Sequence, residues 1–342
     1  MQTATSPDAP QGVRQVEIGP ERDGQRIDNA LMTILKGVPK SMIYRLLRTG
    51  QVRVNGKRAK PDTRLTLGDM LRIPPVRVAE RPAEKGASEG AIGAVTEAII
   101  FEDKHFLVID KPSGMASHGG SGVSHGAIEL LRQARPKEHL ELVHRLDRDT
   151  SGVLVFARTR AGLVGLQAAI RAGEVTKQYL CLMVGHPSKA RFDVNAPLQK
   201  SILQGGERMV KVSDGGKPSL TFFREMEQYP GARLMQATLG TGRTHQIRVH
   251  AAHVGHPLAG DTKYGDRDAN KRFKDKGLNR LFLHASNMSF ELDGRSYGFS
   301  APLPDELKTF LDTLASRGSP RRPRSSSRPD PKGRPFKGKS AR

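Results

Sequence analysis

The sequence predicts an α+β protein made of two folded units with polar extensions at both ends. Three features carry that reading. A compact block from Gly24 to about Val78 combines two short helical patterns with a strand and an Asn-Gly turn. From Glu80 to about Ala94, charges, Gly, Ala and Ser dominate with no apolar period, as in a linker. A longer segment, about Thr96 to Ala315, holds short apolar strands, glycine-marked turns and one clear helix over Ala161–Ala172. The boundaries expected are 1–15 for a disordered N-terminus, 16–79 for a small domain, 80–95 for the linker, 96–315 for a large domain and 316–342 for a disordered basic tail. A chain of 342 residues suits two domains at roughly 100–200 residues each.

In the small block, Ile27, Leu31 and Ile34 recur at helical spacing within Arg26–Leu35, and a second helix follows over Lys40–Leu47. Val52–Lys57 reads as a strand running into the Asn55-Gly56 turn. Leu67–Pro74 reads as a turn, a strand and a proline stop. Lys36, Lys40, Arg45, Arg48, Arg53, Lys57, Arg58 and Lys60 crowd into this block. Arg45 and Arg48 are three apart and share a helix face, so a basic ridge beside the hairpin suits phosphate contacts. A solvated charged face is the competing reading from spacing alone. In the large block, Ile99–Phe101 and Phe106–Ile109 flank Glu102-Asp103-Lys104 and read as a hairpin.

Formal net charge is +21 and the isoelectric point is near 10.4. The segment from Ser316 onward carries ten Lys/Arg and one acid, Asp330, so the rest of the chain is still at +12. A body that basic points to a polyanionic partner, nucleic acid first. Cys181 is the only cysteine, which excludes an internal disulfide and a cysteine zinc site, and its apolar setting predicts buried packing. No run of about 18 apolar residues and no apolar signal core is present, so the expected location is the cytoplasm, away from membranes.

The most informative stretch is Val143-His144-Arg145-Leu146-Asp147-Arg148-Asp149-Thr150-Ser151-Gly152-Val153-Leu154-Val155. Asp149-Thr150-Ser151-Gly152 carries turn chemistry, which makes Asp149 a structural residue. Asp147 sits between Arg145 and Arg148, cations that favour an ionised carboxylate suited to act as nucleophile or base. From spacing alone, a surface Arg/Asp cluster competes with that reading. The second piece is Thr241-Gly242-Arg243-Thr244-His245-Gln246-Ile247-Arg248-Val249-His250. Here Thr244 is expected to cap a helix from His245 to Val254, with Gly255 at its C′ position and Pro257 beyond. Ile247, Ala251 and Val254 would pack, leaving His245 and Arg248 on another side, where Arg248 could pair with a carboxylate of a neighbouring loop. His250-x-x-His253 lacks an accompanying carboxylate or cysteine, so no metal is expected. Gly119-Gly120-Ser121-Gly122 lacks the ending of a phosphate-binding loop and reads as flexible.

These motifs, in this order, resemble the RluA-type RNA pseudouridine synthases over roughly residues 24–312. The resemblance extends to Leu107–Gly114, Gly255–Asp261 and Asn279–Ala285. The small block, through Gly24–Asp28, Ser41–Leu47, Gly50–Gly56 and Gly68-Asp69, is similar to the S4-type RNA-binding module. The family resemblance implies a catalytic domain with a central mixed, largely antiparallel sheet. It also implies isomerisation of specific uridines in large-subunit (23S) ribosomal RNA or its assembly intermediate; a monomer is expected. On the matching motifs it gives Asp147 as the catalytic aspartate, Tyr179 of Lys177-Gln178-Tyr179-Leu180 as the active-site tyrosine and Arg248 as the basic partner. Arg145 becomes the side chain that fills the gap left by the flipped base, while Arg45, Arg48, Arg53 and Lys57 become RNA contacts. The alternative for Tyr179 is packing beside Cys181 and Met183, and for Arg145 a simple ion pair. The reaction is redox-neutral and consumes no second substrate, so no cofactor is expected. A non-catalytic RNA-binding or ribosome-assembly factor that keeps the fold is the runner-up. A glycosidase using Asp147 is disfavoured, because the motifs supply no second carboxylate.

Overall fold

The computed structural model describes residues 12–35, 37–76, 86–120, 125–202 and 208–316. Lys36, the first part of the expected linker, Ser121 and Gly122, and the tail beyond Ser316 lie outside the described residues. The chain divides into two compact units, Met1–Glu89 and Gly90–Arg342.

The first unit starts earlier than expected. Arg14–Glu17 (β1) already pairs antiparallel with Met70–Ile73 (β4), so the strand reaches into the stretch read as disordered. Between them come Ile27–Ile34 (α1), Lys40–Arg48 (α2), Arg53–Val54 (β2) and Lys57–Arg58 (β3), giving the sheet order β1-β4-β2-β3. The helices form because Ile27 and Leu31, and Ile43 and Leu47, recur four apart and close on Val52, Leu65 and Leu71. Asn55 and Gly56 both take positive φ (48° and 76°), the two-residue turn whose twist suits a hairpin.

At the start of the second unit comes Glu89–Glu97 (α3), whose first residue closes the first unit and which lies mostly in residues read as linker. Only Val95 of it is buried, so an Ala/Gly-rich helix carried almost no apolar signature. Ile99–Glu102 (β5) and Phe106–Lys111 (β6) form the expected hairpin, its turn held by the Asp103 carboxylate accepting from the N–H groups of His105 and Phe106. The chain continues through Ala127–Ala134 (α4), Glu141–Leu142 (β7), Ser151–Ala157 (β8), Arg160–Ala172 (α5) and Thr176–Val184 (β9). Arg191–Asn195 (β10), Leu198–Ile202 (β11), Arg208–Val212 (β12), Leu220–Tyr229 (β13) and Ala232–Leu239 (β14) follow. Gln246–His253 (α6), Arg267–Lys274 (α7), Leu283–Leu292 (β15), Arg295–Ser300 (β16) and Asp305–Ser316 (α8) complete it.

Ten strands form one sheet in the order β10-β13-β14-β9-β15-β8-β6-β5, with β16 on β15 and β7 on β8. Every pairing is antiparallel except β8 with β15, which makes the sheet mixed and mostly antiparallel as the resemblance implies. All seven residues of β8 are buried, so this strand is covered on both faces. Its parallel contact is close: a Cβ on Gly152 would collide with the Ala285 carbonyl oxygen, and φ there is 111°. The loop that ends in β8 is therefore held at the middle of the sheet. Cys181 is buried, as its setting predicted. Among the described residues, no helix is long and apolar enough to cross a membrane.

Candidate active site

The loop before β8 is pinned from below by the segment after β6. Lys111, fully buried, donates from Nζ to the carbonyls of Pro112 (2.9 Å), Met115 (2.7 Å) and Arg148 (3.1 Å). Three carbonyls match the three donors of an ammonium, while burial pulls the lysine pKa down to about 7. Ser113 Oγ donates to the Asp149 carbonyl at 2.8 Å. The Ser117 hydroxyl both donates to the Leu146 carbonyl and accepts its N–H, at 2.7 and 3.0 Å. Thr150 N–H closes on the Asp147 carbonyl at 3.1 Å. The backbone on both sides of Asp147 is thus fixed by buried polar groups, which rigidify when fully satisfied. Of the flanking arginines, Arg148 pairs with Asp149 at 3.1 Å, and Arg145 is exposed.

The basic groups that do face Asp147 come from α6 and the residue before it. Arg248 Nη1 and His245 Nε2 each lie 3.8 Å from Asp147 Oδ2. Arg248 is 5% exposed, and its Nε and Nη2 form a two-pronged pair with Asp261, both at 2.8 Å. Asp261 is itself buried and accepts the N–H groups of Lys263 and Tyr264. Burial penalises the Arg248 cation, but the hydrogen bonds and charge of Asp261, then the charge of Asp147, outweigh it and raise its pKa. The Tyr264 ring lies 5.1 Å from the guanidinium carbon, and its hydroxyl bonds His245 Nδ1 at 2.8 Å. Burial pushes the His245 pKa down, against the charge of Asp147.

The start of α6 differs from expectation. Thr244 is exposed and makes no cap; His245 holds the N-cap position in the left-handed region, φ 54°. The Gln246 side chain instead secures the turn before the helix, accepting the Arg243 N–H (3.0 Å) and the Thr241 hydroxyl (2.8 Å). At the other end Gly255, φ 80°, sits at C′ as expected. The helix is not amphipathic: six consecutive residues, Gln246 to Ala251, are buried, so Arg248 is enclosed and not on a free side. His250 spends both nitrogens on Thr221 Oγ1 and the Ala196 carbonyl, 2.9 Å each, and serves packing.

Asp147, Arg145, Tyr179, His245 and Arg248 line one cavity of about 70 Å³. It shares Arg145, Asp147, His245 and Arg248 with a wider groove of about 470 Å³. A larger cleft, about 1010 Å³, touches Arg148 and Arg248 but includes neither Asp147 nor Tyr179. Tyr179 is 8% exposed, and burial, then the Asp147 charge, pushes its phenol pKa up. Packing and cavity lining are both true of it. The structure therefore brings together four of the residues singled out in this unit and adds three to which sequence reasoning gave no role: Lys111, Asp261 and Tyr264. In the first unit Arg45, Arg48, Arg53 and Lys57 are all exposed, and Arg53 bonds the carbonyls of Gly50 and Gly56 at 3.4 and 3.2 Å.

Residues 25–71 match the S4 domain, and residues 105–253 match the family described as RNA pseudouridylate synthase. Over 308 residues the chain is 51% identical to ribosomal large subunit pseudouridine synthase C of Escherichia coli O157:H7, covering 88% of this chain and 97% of that protein. The chain belongs to the RNA pseudouridylate synthase family. The same protein of Salmonella typhi is 50% identical over 311 residues, 89% of this chain and 98% of that one. Among solved structures, human RNA pseudouridylate synthase domain containing 1 superposes with a TM-score of 0.52 at 25% identity, over 66% of this chain and 87% of that one. The synthase domain match spans the Asp147 loop, Tyr179 and α6, so every residue lining the cavity except Leu283 lies inside the family region.

Proposed function

We propose that this pseudouridine synthase isomerises specific uridines of large-subunit ribosomal RNA, free or in an assembly intermediate, with Asp147 as the reacting carboxylate. The observation that carries the reading is the cavity in which Asp147 faces Arg248 and His245 beside Tyr179, in a chain of this family. The names of the relatives point to the ribosomal substrate. We place the protein in the cytoplasm as a monomer, the compartment and form in which it would meet that RNA.

The reaction breaks N1–C1′, turns the uracil and joins C5 to C1′. The base must first leave its stack, which costs a few kcal/mol. Arg145, exposed at the cavity rim, fills the vacated space with its planar guanidinium. Asp147 then attacks C1′, attacks C6, or abstracts a sugar proton; each route begins with an ionised carboxylate. Arg248 orients that carboxylate through Nη1 while Asp261 holds its other two nitrogens, so the cation cannot swing onto the substrate. Tyr179 sits against the uracil, its hydroxyl near the C5 proton that leaves last. C5 releases one proton and N1, freed from C1′, takes one up, so the isomerisation balances with no redox step.

The test is to incubate a large-subunit ribosomal RNA transcript with the purified full chain and map pseudouridines along it. A few discrete sites are expected. Tight binding without any pseudouridine would instead support a non-catalytic RNA-binding or assembly factor.

A further inference from the structure

The hairpin β11–β12 stands apart from the ten-stranded sheet as a ladder of its own. Its apolar side rests on α6: Leu198 and Val210 close over Val249, with Val212 and Tyr264 against them. The Val210 N–H donates to the Tyr264 hydroxyl at 3.0 Å. Tyr264 is the residue that bonds His245 and lies over Arg248, so the hairpin is anchored on the groups that face Asp147.

Between this hairpin, the turn at 215–217 and the loop at 242–244 runs a groove of about 420 Å³. Three exposed cations line it, Lys200, Lys217 and Arg243, and among the described residues no carboxylate does. Among the described residues none of the three has an acidic partner; Arg243 Nε reaches only the Pro218 carbonyl, at 3.3 Å. The floor is shaped for access: a Cβ on Gly216 would lie 2.7 Å from the Leu198 carbonyl carbon, so the turn can sit this close only as glycine. Arg243 also lines the cavity that holds Asp147 and Tyr179, so groove and cavity share a wall. Convergent cations without counter-charges repel one another in the free protein, and a bound anion removes that repulsion.

We propose that this groove is a phosphate-binding subsite, in which Lys200, Lys217 and Arg243 seat the RNA backbone next to the uridine being isomerised. The inference rests on the RNA-modifying reading above. Because the hairpin is keyed to Tyr264, a strand seated there is registered against His245 and Arg248 as well.

The experiment compares wild type, Lys200→Ala/Lys217→Ala, and a control of equal charge loss on exposed α7 lysines, Lys271→Ala/Lys274→Ala. Binding to the same transcript is measured from low to moderate salt, with KM and kcat. Each phosphate contact contributes about 0.7–0.9 to the log–log salt slope, so the groove variant is expected to lose about 1.4–1.8 from it, with KM raised about tenfold. The control is expected to change the slope by less than half as much, and Lys200→Arg/Lys217→Arg to restore both. Equal slope losses in groove and control variants would overturn the subsite, as would an unchanged slope and KM in the groove variant. A wild type that makes no pseudouridine would instead sink the reading beneath it.

Discussion

The two units use the same residue types in opposite ways. In the first, Arg45, Arg48, Arg53 and Lys57 stand exposed, and such surface cations act through their number and are screened by salt. In the second, Arg248 and Lys111 are buried: Lys111 Nζ meets three carbonyls, and Arg248 Nε and Nη2 meet Asp261. A buried charge is expensive to desolvate and persists only where partners are complete. The first arrangement suits grip on a polyanion of any sequence; the second suits holding one carboxylate in one place. Histidine divides the units as well, since all eleven lie beyond residue 89.

The largest effect that would break this comparison sits at Asp147. Asp147→Asn keeps the shape but removes the charge and the reacting oxygen. Pseudouridine formation is expected to fall by more than the roughly 10²–10⁴-fold of losing one acid–base group, with RNA affinity equal or slightly higher. Asp149→Asn, whose carboxylate pairs with the exposed Arg148, is the control and should act mainly on stability. A control variant that is dead while folded, beside an active Asp147→Asn, would contradict Asp147 as the reacting carboxylate.

Asp261→Asn comes next. Removing one partner of a buried ion pair costs about 3–5 kcal/mol, and Arg248 is then free to close on Asp147. A kcat lower by about 10²–10³-fold is expected, on the scale of losing one preorganised donor, with KM changed only a few-fold. Loss of stability with kcat intact would make Asp261 a purely structural residue.

Acid should separate the units by a smaller margin. His284 is fully buried, bonded to Ser151 Oγ and the Ala301 carbonyl, and burial lowers its pKa to about 4. Its folded pKa lies below the unfolded value of about 6.5, so only the unfolded chain takes up the proton between the two. Stability from this residue is therefore present above pH 6.5 and is lost as pH falls towards 4, at about 1.4 kcal/mol per pH unit. His250, also buried with a lowered pKa, adds in the same sense. Followed by urea unfolding, the second unit should weaken across that window while the histidine-free first unit holds. Parallel weakening of both would remove histidine as the cause.

Local patterns were legible in the sequence, and long-range partners were not. The spacing of Ile27 and Leu31, the Asn55-Gly56 turn and the β5–β6 hairpin each depend on neighbours in the chain. Asp147, Tyr179 and Arg248 were found through motif resemblance, and the fold then placed them on one cavity. Asp261 escaped a role because it lies 13 residues from Arg248 across a helix end, where periodicity carries no information. Lys111 ends an apolar strand and so resembles a surface residue; its burial depends on three carbonyls that only the folded loops bring together. Thr244 makes no cap, and Gln246 instead ties the preceding turn, because its longer side chain reaches back to Arg243 and Thr241.

Single-turnover kinetics at saturating RNA, with Kd measured in parallel, tests the division of labour most directly. The comparison needs wild type, Arg248→Ala and Arg45→Ala/Arg48→Ala. Arg248→Ala is expected to slow the chemical step by about 10²-fold or more with Kd nearly unchanged. The double variant should raise Kd and flatten its salt dependence by about 1.4–1.8 in log–log slope, with the rate at saturation preserved. A variant at Arg248 that turns over normally but binds poorly, beside a double variant that binds normally but turns over slowly, would contradict the account.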